Sequence, residues 1–290
     1  MSSNLARRIA FAVVAIPAVV GVAYLGRWAF AALLAVAAAL GARELYDFAR
    51  RQGVEPLART GMAAAAAAPL AMAVQLLAPG YAANLIREGY LLVILLLGTL
   101  SLVLSRRGPG DRPLAAAAVT VLGVLYPGFL LSYALVLRHP SAAPFLNDAA
   151  VGMALLFYPL VLTWGGDTAA MAGGTAFGGP KLAPVVSPNK TWSGGIAGLV
   201  ATVALSLGYA AWVFPRVGVA LSLKEALVLG VVISLAGQVG DVAESLLKRE
   251  IGVKDSSGLI PGHGGVLDRL DSLYFVLPAT ALAFKLAGVL

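Results

Sequence analysis

Asp241, Glu244, Asp268 and Asp271 are the side chains best suited to chemistry, and they gather in the last fifth of the chain. Asp268 and Asp271 stand three apart in KREIGVKDSSGLIPGHGGVLDRLDS (248–272), at the expected start of a helix. That spacing lets both carboxylates point one way while Arg269 points aside. Carboxylates without histidine or cysteine partners are hard oxygen ligands that suit magnesium, which uses one or two of them and fills its other sites with water and substrate phosphates. Helix capping would account for one of these aspartates. It does not account for their combination with Asp241, with the basic residues Lys248, Arg249, Lys254 and Arg269, and with the glycine-flanked His263.

Asp241, Glu244 and Ser245 are spaced i, i+3 and i+4, on one face of a helix. An ionised group at the centre of a membrane helix costs about 2.5 to 3.5 kcal/mol, less near the interface, so these residues require a cavity or a partner. Glu244 either joins the chemistry or pairs with Lys248 one turn on.

A second polar stretch, TWGGDTAAMAGGTAFGGPKLAPVVSPNKTWSGG (163–195), combines glycines with Asp167, Lys181, Ser187, Lys190 and Thr191. Glycines let backbone amides approach an anion, lysines add positive charge, and a helix expected from Ser193 would turn its positive end toward a phosphate. Glycine, proline and serine also fill ordinary turns, so both readings stand on this stretch alone. It holds no GxxxxGK[ST] motif.

The elements that must position these residues are membrane helices. Hydrophobic residues make up 60% of the chain and charged ones 12%, against about half and a quarter in soluble domains, so water is not its main solvent. Nine stretches approach the ~20 apolar residues of a bilayer span: 9–26, 28–42, 61–77, 89–104, 115–137, 148–163, 193–214, 226–247 and 272–289. They are long and continuous and lack the alternation of a β-barrel. The expected fold is an all-α polytopic membrane protein of about nine transmembrane helices. Residues 1–147 carry about five spans and residues 148–290 a catalytic region of about four, with loops at 164–192 and 248–271. With the N-terminus inside, fifteen of the 21 basic residues fall in inside segments and five in outside loops, with Lys285 in the last span. By the positive-inside rule this makes both polar loops cytoplasmic, so the polar site opens to the cytoplasm. Arg7 and Arg8 precede an apolar stretch as in a signal peptide, but the next apolar segment follows at Trp28 without a clear cleavage site.

There is no cysteine, which excludes disulfides, thiolate zinc sites and cysteine nucleophiles, and two histidines exclude a histidine-rich metal site. The net charge of +7 fits basic loops beside anionic lipid better than nucleic acid.

Ser245-Leu246-Leu247-Lys248-Arg249, Lys254-Asp255, Ser257, Ile260, Pro261, His263-Gly264-Gly265, Asp268-Arg269 and Asp271 together resemble the signature of the phosphatidate cytidylyltransferases, in register from Ser245 to Asp271. Asp167-Thr168-Ala169-Ala170 and Ser187 to Trp192 are similar to a second block of that family. Met171 and Thr175 depart from it, at positions where an aromatic and a basic residue are usual. In the first half only Glu44-Leu45-Tyr46 matches beyond hydropathy. The resemblance implies a dimeric enzyme of the inner, cytoplasmic membrane that requires magnesium, with potassium as a second ion. It implies metal ligation by the catalytic Asp241, Asp268 and Asp271 with Ser245 close by, and substrate contacts from Asp167, Ser187, Lys190, Thr191, Lys254, His263, Gly264, Gly265 and Arg269, with Lys190, Thr191 and the glycine loops at the nucleotide. The catalytic Lys248 and Arg249, with Lys254, would meet phosphate groups.

The reaction so implied joins CTP and phosphatidic acid into CDP-diacylglycerol and pyrophosphate. An anionic phosphatidate oxygen needs no dedicated base, so His263 is expected to act as a loop hydrogen bonder rather than as an acid or base. The rival enzyme readings are a lipid-alcohol kinase and a CDP-archaeol synthase. A cation transporter with Asp241 and Glu244 on its path is the rival outside enzymes, and most polar residues lie in loops rather than across several spans.

Overall fold

The computed structural model describes residues 3–78, 80–140, 149–260, 262 and 264–290. Each of the nine apolar stretches contains a helix. These are α1 (Ser3–Leu25), α2 (Arg27–Arg51), α3 (Ala58–Leu77), the short α4 (Tyr81–Arg87), α5 (Tyr90–Arg106), α6 (Pro113–Val124) running through a π turn at Leu125–Phe129 into α7 (Leu130–Arg138), α8 (Ala149–Phe177), α9 (Trp192–Trp212), α10 (Leu223–Glu250), the short α11 (Val266–Leu270) and α12 (Leu273–Leu286). Among the described residues six helices are long and apolar enough to cross a membrane, the α6–α7 run counting as one. Leu91, Leu92, Val93, Ile94, Leu96 and Leu97 of α5 stand exposed in a row, a surface that suits lipid and not water.

Two features differ from the expected fold. A two-stranded antiparallel hairpin, β1 (Lys181–Ala183) and β2 (Ser187–Thr191), joins the helices. Residues 164–177, expected in a loop, continue α8. Their glycines serve helix packing: a Cβ on Gly173 would overlap Ala197 of α9, one on Gly166 would overlap Thr202, and one on Gly194 would come 2.7 Å from the Ala170 carbonyl. Small residues facing one another bring two backbones together, as in other membrane helix pairs.

The chain forms two compact units. The first is Met1–Val136 with Ile251–Arg269, and the second is Leu137–Glu250 with Leu270–Leu290. Most of the loop expected to belong with the C-terminal region thus joins the N-terminal helices, held there by Glu44. In the first unit the buried Tyr46 of α2 donates to the Thr120 carbonyl at 2.9 Å. Its ring fills the space that Gly61 of α3 and Gly123 of α6 leave open. The π turn falls at Pro127, whose missing N–H would interrupt a regular α-helix.

In the second unit Tyr158 is fully buried among Tyr209, Phe214 and Phe284, with ring centroids 5.2, 5.2 and 5.3 Å away, and its hydroxyl lies 2.6 Å from Ser206 Oγ. Pro159 lies inside α8, and Thr163 Oγ1 one turn on donates to its carbonyl at 2.8 Å. Gly240 of α10 lets the chain entering α12 approach closely, since a Cβ there would come 2.8 Å from the Asp271 carbonyl. The backbones of Asp241 and Asp271 are thereby drawn together.

Candidate active site

In the first unit Ser256, Ser257, Val266 and Leu267 gather around a buried carboxylate to which the sequence assigned no role. Glu44, near the polar end of α2, is 4% exposed. Its Oε1 accepts from Ser257 Oγ at 2.6 Å and Val266 N at 3.0 Å, and its Oε2 from Ser256 Oγ at 2.9 Å and Leu267 N at 2.9 Å. Two of these donors are first-turn amides of α11, which have no partner within the helix. Two carboxylate oxygens can accept all four bonds. An acidic residue at the end of an apolar span is a signal that such partners exist. Which residues supply them was not legible, because they lie more than two hundred positions away.

Asp268 occupies the same cluster. Its Oδ2 accepts from Ser256 N at 2.7 Å, Ser256 Oγ at 2.8 Å and Gly265 N at 2.8 Å. These donors crowd Oδ2, which anchors the loop. The glycine pair follows from this crowding. A Cβ on Gly265 would overlap Ser256 Oγ and both Glu44 oxygens, while Gly264, at φ +80°, faces the Asp268 carboxylate. The loop encloses a pocket of about 390 Å³ lined by Lys254, Asp255, Ser257, Gly258, Ile260, Gly262, Gly264 and Arg269. Lys254, expected at a phosphate group, and Gly264 and Arg269, expected at the substrate, therefore line one cavity. The role expected of His263 falls outside the described residues.

In the second unit three aspartates converge. Asp271 lies within electrostatic reach of Asp241, Lys248 and Asp167, and Asp167 within reach of Asp241 and Lys190. Burial pushes the Asp271 carboxyl up to about 6, and Asp241 and Asp167 push the same way, while the Ser272 N–H and Lys248 pull against them. Lys190 Nζ sits 2.5 Å from Asp241 Oδ2, and Ser245 Oγ donates to Asp241 Oδ1 at 3.4 Å. Asp241, Asp271 and Ser245 thus lie on one side of the second unit, and Asp167, expected at the substrate, lies near them. Among the described residues no three acidic or histidine side chains gather closely enough to form a ready metal centre.

The basic residues have structural partners as well. Lys248 Nζ lies 2.5 Å from the fully buried Glu244, so the pairing considered for Glu244 is present. Arg249 Nε donates to the Val186 carbonyl at 3.2 Å and, with the Lys190–Asp241 pair, ties the hairpin to α10. Thr191 caps α9, accepting from Gly194 N at 3.2 Å, and its Oγ1 lies 3.0 Å from Ser193 Oγ. Ser187 opens β2 opposite Ala183. The positive end of α9 is therefore partly satisfied by its own cap.

Clustered carboxylates flanked by lysines, on helices that suit a membrane, are the equipment of a phosphate-transferring membrane protein. The chain belongs to the cytidylyltransferase family, whose model matches residues 6–287. Its curated relatives carry a narrower name. The phosphatidate cytidylyltransferase of Brucella suis biovar 1 (strain 1330) is 41% identical over 167 residues, 58% of this chain and 56% of the relative. That of Haemophilus influenzae is 42% identical over 134 residues, 46% of each chain. The chloroplastic phosphatidate cytidylyltransferase 4 of Arabidopsis thaliana is 32% identical over 317 residues, 99% of this chain and 76% of the relative. The chain spans about half the length of these bacterial relatives.

Proposed function

We propose that the protein transfers the cytidylyl group of CTP to phosphatidic acid, releasing pyrophosphate and forming CDP-diacylglycerol for phospholipid synthesis. The observation that carries this reading is the convergence of Asp167, Asp241 and Asp271 on Lys190 and Lys248 in a chain of the cytidylyltransferase family. An anionic oxygen of phosphatidate attacks the α-phosphorus of CTP, the bond to the bridging oxygen breaks, and pyrophosphate leaves with the bond's electrons. No side chain has to remove a proton. What the protein supplies is alignment and positive charge where negative charge builds up.

The donor set fits magnesium. Asp167, Asp241 and Asp271 offer only oxygen, and beside the Asp271 carboxyl, raised first by burial and then by Asp241, a cation relieves negative charge. Lys190, paired with Asp241, is positive charge of the same kind at the same oxygen. Asp241 and Asp271, with Ser245 beside Asp241, would hold the ion, which when bound would spread the charge of the phosphate oxygens. Lys190 and Lys248 hold phosphate oxygens in the second unit. The pocket containing Lys254 and Arg269 in the first unit suits an anionic phosphate chain.

The same reading carries nine membrane crossings, a cytoplasmic N-terminus with the polar loops on that side of the inner membrane, a homodimer and a potassium site. The basic asymmetry supports the orientation. The test is to incubate the purified protein with CTP, magnesium and phosphatidic acid in vesicles. Equal amounts of pyrophosphate and CDP-diacylglycerol are expected. Release of CDP would favour a lipid kinase, and ion flux without CTP turnover a transporter.

A further inference from the structure

We infer that Glu44 is a positioning residue for the transfer reaction: from α2 it holds Ser256, Ser257, Val266 and Leu267 in their working places. Three observations carry this. First, Glu44 is buried at 4% exposure yet forms no ion pair among the described residues; neutral donors alone satisfy its charge. A buried carboxylate lacking a cation needs such donors. Second, all four donors belong to one segment, Ser256, Ser257, Val266 and Leu267, so the contact shapes a loop and does not merely join two helices. Third, Ser256 Oγ has one proton and faces two carboxylate oxygens, Glu44 Oε2 at 2.9 Å and Asp268 Oδ2 at 2.8 Å. Glu44 is thereby coupled to Asp268, which fixes the other end of the loop through Gly265 N and Ser256 N.

The consequence for chemistry lies in what this segment carries. Ser257 and Gly264 line the same pocket as Lys254 and Arg269, so the shape Glu44 imposes sets where those cations stand. Glu44 touches no reacting atom; it acts through the loop. Glutamine keeps the size of the side chain but has one acceptor oxygen. Whichever oxygen becomes NH2 then meets a backbone N–H, that of Val266 or of Leu267, donor against donor.

This inference rests on the nucleotidyl-transfer reading, and its test separates the two. In the purified, lipid-embedded protein, Glu44→Gln should speed hydrogen exchange of the Val266 and Leu267 amides about tenfold or more, the scale of one lost bond to a charged acceptor. Amides of α9 and α10 should keep their rates. In the same preparations kcat should fall about a hundredfold, the scale of an ångström-sized misplacement, with the KM for CTP raised and that for the lipid unchanged. Ser257→Ala, a milder variant, should do the same to a smaller degree, and Glu55→Gln, which loses only an exposed pair with Arg50, should do neither. Faster exchange at 266 and 267 with normal turnover per folded molecule would overturn the positioning role. Unchanged exchange would overturn the cradle itself. If the unaltered protein consumes no CTP, the transfer reading fails while the exchange result still stands.

Discussion

Ser256 Oγ donates to Glu44 Oε2 at 2.9 Å across 212 positions of sequence, and Gly265 closes over the pair so tightly that any Cβ would overlap both side chains. Gly265→Ala therefore forces either the serine or the glutamate out of place. Overpacking a site of this density costs about 1 to 3 kcal/mol. The expected outcome is a lower melting temperature and strongly reduced turnover, read by a thermal melt in lipid or detergent and an initial-rate assay. A variant with unaltered stability and rate would show that the loop gives way freely.

Lys190 and Asp241 pair at 2.5 Å with side chains 26% and 33% exposed. A pair this accessible to solvent contributes at most about 1 kcal/mol to stability. Lys190→Gln should leave the melt nearly unchanged, yet turnover should fall about a hundredfold or more, the scale of losing one preorganised donor to developing charge. A loss of stability with a normal rate would make the lysine a strut for the hairpin and nothing else.

Asp271 is held in repulsion with Asp241 and Asp167. Asp271→Asn removes that repulsion. At neutral pH without divalent ions the variant should melt higher than the unaltered protein, while its activity is lost and its melt no longer responds to magnesium. A destabilised variant that still gains stability from magnesium would contradict the acid-cluster assignment.

The orientation of the polar loops can be read by labelling, since the chain has no cysteine of its own. Single cysteines at Pro180 and Ser257 should be silent to an impermeant thiol reagent applied to intact cells and reactive after the membrane is opened. Labelling from outside at either position would reverse the orientation.

The helices were legible because a bilayer span requires a long apolar run, and each expected run contains a helix. The Glu244–Lys248 pair was legible too, since both partners lie one turn apart on a single helix. The stretch 164–177 was not, because glycine signals a loop unless a second helix presses against it. Here that helix is α9, through Ala197 and Thr202. The signature segment revealed which residues matter but not how they divide. Asp268 and Asp271 are three apart, yet one anchors a loop against α2 and the other stands beside α10, because the chain passes from one compact unit to the other between them. Glu44 was visible only in the Glu44-Leu45-Tyr46 match after the second apolar stretch, without a role, since its four donors follow more than two hundred residues later.

In the proposed reaction the α-phosphate of CTP, and not its γ-phosphate, passes to phosphatidic acid. Two parallel incubations test it, with CTP radiolabelled at either phosphate, magnesium, phosphatidic acid vesicles and the purified protein, followed by organic extraction. Label from the α position should enter the lipid fraction in step with pyrophosphate release, and label from the γ position should remain in water. Transfer of the γ label to lipid would contradict the account.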